Sequence, residues 1–236
     1  MISTEKKTAV KNLAVWLIAL VAVPLTVIVG IAVFGAKRYA FISAAVALLS
    51  VLPFFLAFEK KSRDRKEPLR LSVIAVITAI SIVSRIAFSF TPSFKPVTAV
   101  VIIAGAFLGG EAGFMCGSLT ALISNFYFGQ GAFTPFQMLA WGLIGFFAGV
   151  LGRALRKHVS ILLVYGAITG VAFSLILDVW STIWFDGYFN FDRYLVQLVA
   201  AVPMTVSYAV SNVIFLLVLA APFGKRLERI KTKYGL

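Results

Sequence analysis

The sequence predicts an all-α integral membrane protein, and three observations predict it. Of 236 residues, 61% are hydrophobic and only 13% charged, whereas a soluble domain of this size carries about 25% charged residues. Mean hydropathy is +0.98. The apolar residues are gathered into long runs separated by short basic clusters, and at roughly twenty residues per crossing the chain has room for about eight helices. No sizeable soluble domain remains.

Residues 1–12 are polar and carry Lys6, Lys7 and Lys11. The run 13–34 is too long for a signal-peptide core and lacks a small-residue cleavage site after it, so it is expected to be a retained helix. Lys37 and Arg38 mark a tight turn and 39–58 returns, giving an N-terminal transmembrane pair within residues 1–58. The segment 59–70, EKKSRDRKEPLR, is the most charged in the chain and is expected to be a basic cytoplasmic linker. A membrane core, residues 71–236, follows. Its first helix is expected at 71–90, and the two prolines of TPSFKP, 91–96, then turn the chain. The runs 97–108 and 112–126 are each short for a crossing, and form either one long helix or a hairpin about Gly109, Gly110 and Glu111. The last spans are expected at 135–151, 160–180 and 194–219, with a long aromatic connection, STIWFDGYFNFDR, at 181–193.

Charge chooses between helix and hairpin. With the hairpin, 17 Lys and Arg fall on one side, in residues 1–12, 59–70, 153–157 and 225–233, against four on the other: Lys37, Arg38, Lys95 and Arg193. A single long helix moves the last two clusters to the wrong face. The cytoplasmic bias of basic residues therefore selects the hairpin, a multi-pass protein of the cell membrane, and cytoplasmic termini. The net charge of +13 reads as topology signals and contacts to the lipid bilayer. Without a separate basic domain it argues against nucleic acid as a partner.

The stretch from Lys95 to Trp141 is the richest in the chain. Gly105, Gly109, Gly113 and Gly117 fall four apart, which lets neighbouring helix backbones approach closely in lipid. Asn125, Tyr127, Gln130, Phe133, Gln137 and Trp141 follow within seventeen residues. An interfacial aromatic belt explains Tyr127 and Trp141 but not the amides, which suit a polar ligand with flat parts. Arg85 and Asp178 are the ionisable residues expected within the bilayer, where a charge is costly and faces an interior or a wet cavity. Lys95, Trp184 and Tyr188 lie in the neighbouring loops and complete the candidate binding residues.

Catalysis finds little support. One cysteine and one histidine, Cys116 and His158, leave neither a disulfide nor a metal cluster. No metalloprotease, nucleotide-binding or serine-hydrolase motif occurs. Active transport by such a chain must draw on an ion gradient or an ATPase partner. Ala75 and Ala79 place two small residues on one face of the first core helix, suited to contact with another helix.

Residues 71 to about 222 resemble the six-helix substrate-binding subunit, the S component, of energy-coupling factor (ECF) vitamin transporters. The resemblance rests on the Ala75-x3-Ala79 pair, the Gly-rich segment 104–117 and, above all, SNFYFGQGAFTPFQMLAWGLIG at 124–145. That last stretch is most similar to members associated with cobalamin or with unassigned vitamins. The resemblance implies capture of a vitamin on the outer side, under the three outer loops. It implies docking through Ala75 and Ala79 on a transmembrane coupling subunit bound to two ABC-type ATPase subunits. ATP is then used by those partners, and the chain itself is not an enzyme and has no intrinsic cofactor. The two N-terminal helices are an addition to the usual six. Two other classes compete: an ion-coupled secondary transporter, which wants ionisable residues deep in broken helices, and a membrane scaffold of the cell envelope, which has no use for the amide cluster.

Overall fold

The computed structural model describes residues 67–234 together with Val46. The first two expected helices and most of the linker lie outside the described residues. Those described form α1 (Glu67–Ala87), α2 (Val97–Leu108), α3 (Gly110–Phe128), α4 (Thr134–Val150), the short α5 (Gly152–Lys157), α6 (Val159–Asp186) and α7 (Phe191–Tyr234). No strand occurs among the described residues, and α1, α6 and α7 are long and apolar enough to cross a bilayer. The expected fold class, an all-α membrane protein, is what the chain adopts.

The hairpin is present. Arg70 at the start of α1 meets Glu111 at the start of α3, N to O 3.4 Å, while Arg85 near the end of α1 meets Asn125 near the end of α3. The two helices therefore run parallel, and α2 returns between them. The reversal occurs at Gly109, whose φ of 99° lies in a region that side chains disfavour.

Ten of the twelve residues of α2 are buried, so this helix is the bundle's centre and has no lipid-facing stripe. The glycines bring α3 and α4 together around it. A Cβ on Gly105 or Gly113 would run into the carbonyl oxygen of Gly145, and one on Gly117 into that of Trp141. This is backbone-to-backbone packing, the geometry that holds helices together when lipid removes the hydrophobic drive. Outward-facing Val76, Val83, Val164, Ile168, Val199 and Val206 present the apolar exterior.

Two element boundaries differ from expectation. The helix α1 begins at Glu67, inside the expected linker, because Pro68 fits the first turn of a helix without losing a hydrogen bond. The connection expected at 181–193 shrinks to residues 187–190: STIWFD contains no breaker, so α6 continues to Asp186 and stops at Gly187, φ 72°. With 44 residues, α7 is about 66 Å long, more than twice a hydrocarbon core of about 30 Å. Its basic end, 225–233, still packs on the bundle, with Leu227 buried and Lys231 Nζ donating to the Phe107 carbonyl at 2.9 Å. Val46, the described residue of the run 39–58, is helical and fully buried in a cluster with Phe136, Leu139 and Ile183 of α4 and α6.

Candidate functional site

At the end of the bundle where α1 stops and α2 starts, polar side chains from three helices meet around Asn125. The residue is fully buried in the last turns of α3. Its Nδ2 donates to Thr134 Oγ1 at 2.9 Å and to Gln137 Oε1 at 2.9 Å, both on α4. Its Oδ1 accepts from the Arg85 guanidinium of α1 at 2.8 Å, and Ser124 Oγ accepts from the same nitrogen. The amide thus spends its donors on α4 and its acceptor on α1. Both donors and the acceptor of the amide are paired, which fixes the three helices relative to one another.

The Arg85 guanidinium also lies 4.5 Å from the centroid of Phe128 and 5.0 Å from that of Trp141. From the 88–96 turn, Lys95 brings its ammonium 4.6 Å from the same Phe128 ring. Burial, and then the charge of Arg85, hold that ammonium below the usual lysine range. Trp141 donates from Nε1 to Thr98 Oγ1 at 3.2 Å and stacks on Phe173 with centroids 4.9 Å apart. Phe173 in turn meets Tyr208 edge to face at 5.2 Å. These residues enclose a small cavity of about 50 Å³, lined by Arg85, Lys95, Gln137 and Trp141 together with Ser93, Thr98, Phe173, Tyr208 and Asn212. Among the described residues, ion pairs join Arg70 to Glu111 and Arg193 to Asp186, and neither Arg85 nor Lys95 takes part in one.

Four of the expected site residues therefore converge: Arg85, Lys95, Gln137 and Trp141. Asn125 stands behind them as the residue that positions Arg85 and Gln137. Gln130 is exposed and braces the α3–α4 turn instead, donating to the Leu122 carbonyl at 2.8 Å and accepting from Thr134 Oγ1 at 3.0 Å. Tyr127 does not face the cavity. Two residues beyond Asn125 is about 200° around a helix, and its ring lies outside, 61% exposed, edge-on to Phe128. Trp184 and Tyr188 are also largely exposed. The α6 extension carries Trp184 out beside Trp180, with centroids 5.9 Å apart. Asp178 is buried on α6 but neither lines the cavity nor pairs with Arg85; its Oδ2 has no hydrogen-bond partner.

Tyr208 and Asn212 were missed by sequence reasoning. They are polar residues four apart within an apolar run of α7, which is a readable signal of an inward face. Phe173 carries no such signal. Ala75 and Ala79 are exposed on α1. Neither lines the apolar groove of about 320 Å³ that α1 forms with the far part of α7, through Val73, Val76, Ile80, Phe223 and Leu227. No group of three metal-ligating side chains occurs among the described residues.

A helical membrane protein with a cationic, aromatic cavity at one end and small residues exposed on another face is built as a solute-binding membrane subunit. The family model described as "ECF-type riboflavin transporter, S component" matches residues 67–229, roughly two thirds of the chain. The chain belongs to that family of ECF S components, substrate-binding subunits of vitamin transporters rather than enzymes. No curated protein and no solved structure gives a significant match.

Proposed function

We propose that this S component captures a vitamin from the outer side, in the cavity between Arg85, Lys95, Gln137 and Trp141. It hands its cargo inward through a transmembrane coupling subunit and two ATPase subunits. The observation that carries the reading is the Asn125 network, which brings side chains from α1 and α4 onto one cavity. The distribution of basic residues assigns this end to the outside and the termini to the cytoplasm of the plasma membrane. ATP is consumed by the partners, and no cofactor is needed in the chain itself.

The cavity of about 50 Å³ is small beside ligand sites of roughly 300–1,000 Å³. The turns at 88–96 and 129–133 must part to admit any vitamin. Riboflavin is the cargo named for the family and needs the smaller opening, since a planar ring can slide between Trp141 and its neighbours. Cobalamin is the cargo suggested by the stretch 124–145, and it needs those turns to separate widely. Both therefore head the panel to be tested. The exposed Ala75 and Ala79 on α1 are the surface for the coupling subunit. Ala79→Leu is expected to leave binding intact and to abolish uptake in cells.

Mass spectrometry of small molecules released from the purified protein, followed by calorimetric titration of a vitamin panel, tests the capture reading. Binding of one vitamin, weakened by Gln137→Ala, supports it; no binding by folded protein sinks it. One observation favours a second reading, ion-coupled transport: Asp178, buried with an unpartnered oxygen, is where a coupling proton would sit.

A further inference from the structure

The cavity gathers two cations and, among the described residues, no acid that pairs with either. Arg85 is only 6% exposed. Its partners Ser124 and Asn125 are neutral, and a neutral acceptor satisfies a donor without balancing its charge. Lys95, itself half-buried, comes to the same Phe128 ring, so two like charges share one aromatic surface. The lowered ammonium pKa of Lys95, which lies in the turn outside the spans, has that neighbour as one cause. An anion set between the two side chains relieves both costs together, burial and repulsion.

We infer, on the basis of the capture reading above, that the cargo presents a carboxylate or phosphate to Arg85 and Lys95 while its ring system lies against Trp141 and Phe173. Arg85 is held from behind by Asn125 and offers the planar fork that suits either oxyanion. Lys95 adds a compact point charge from the turn. Its own backbone is anchored, with its carbonyl accepting from Ser211 Oγ at 2.9 Å. The aromatic side chains that line the cavity are held in place by their own stacking and edge packing.

Paired probes titrated calorimetrically into the full chain in detergent test this. The pairs are FMN against riboflavin, cobalamin against cobinamide, and biotin against biotinamide, and only the first member of each carries the oxyanion in question. In whichever pair binds, the anionic member is expected to bind at least about tenfold more tightly. The preference should fall below about threefold in Lys95→Gln and return in Lys95→Arg, which keeps the charge. Which pair responds distinguishes phosphate from carboxylate. A neutral member bound as tightly as its anionic partner, or a preference that survives Lys95→Gln, overturns the inference and leaves vitamin capture standing. Failure of every probe to bind folded protein overturns the capture reading itself, and the anion subsite with it.

Discussion

Arg85 and Asp178 are both ionisable, both buried and both expected within the bilayer, yet the fold treats them in opposite ways. Arg85 is held by Ser124 and Asn125 of α3, with Asn125 in turn tied to Thr134 and Gln137 of α4. Its guanidinium lies over two rings at the edge of a cavity. Asp178 draws support from its own helix alone, through the Ser174 hydroxyl one turn earlier. One carboxyl oxygen is buried without a partner, and the nearby Thr182 hydroxyl donates to the Asp178 backbone carbonyl rather than to the carboxylate. Burial alone therefore does not make a site. A buried charge becomes useful when neutral dipoles from several helices hold it still and point it at open space.

The contrast can be broken most directly at Arg85. Replacing it with Ala removes the cavity's fixed cation and leaves Asn125 Oδ1 without its donor, so vitamin affinity measured by calorimetry should fall about a hundredfold or more. Asn125→Ala keeps the cation but frees it to wander. An affinity loss of about tenfold is expected, together with a lower unfolding temperature in detergent, because three helices lose their shared partner. Asp178→Asn sharpens the contrast from the other side. Capture predicts affinity and uptake within about threefold of the parent, since the carboxylate does not line the cavity. Collapse of uptake with binding preserved would instead favour proton coupling. The smallest effect belongs to Trp184→Ala and Tyr188→Ala, where affinity should change by less than about twofold because both rings lie outside the cavity.

These predictions divide along the line between what could be read from the chain and what could not. The stretch from Lys95 to Trp141 was legible as a polar cluster: amides and a lysine within apolar segments are costly and must find partners. Within that stretch the roles were not legible. Asn125 and Gln130 looked like ligand contacts, but both spend their hydrogen bonds inside the protein. Tyr127 looked like a neighbour and faces away. Sequence proximity brings residues to the same end of a helix, whereas the rotation of that helix decides which of them face inward.

By itself the sequence determined a helical membrane protein, and it determined the hairpin at Gly109, because the cost of placing basic clusters on the wrong face is summed over the whole chain and needs no contacts to evaluate. It also marked Arg85 as a residue that must find shelter. Only the tertiary structure decided what shelters it, and that α6 rather than a loop carries the aromatic run STIWF. Phe173, Tyr208 and Asn212 likewise reach the cavity only because α6 packs on α4 while α7 packs on α2 and α6. In lipid the hydrophobic effect gives no direction for turning one helix against another. Those rotations are set by glycine contacts such as Gly113 on Gly145 and by hydrogen bonds such as Asn125 to Gln137, which exist only once the bundle has assembled.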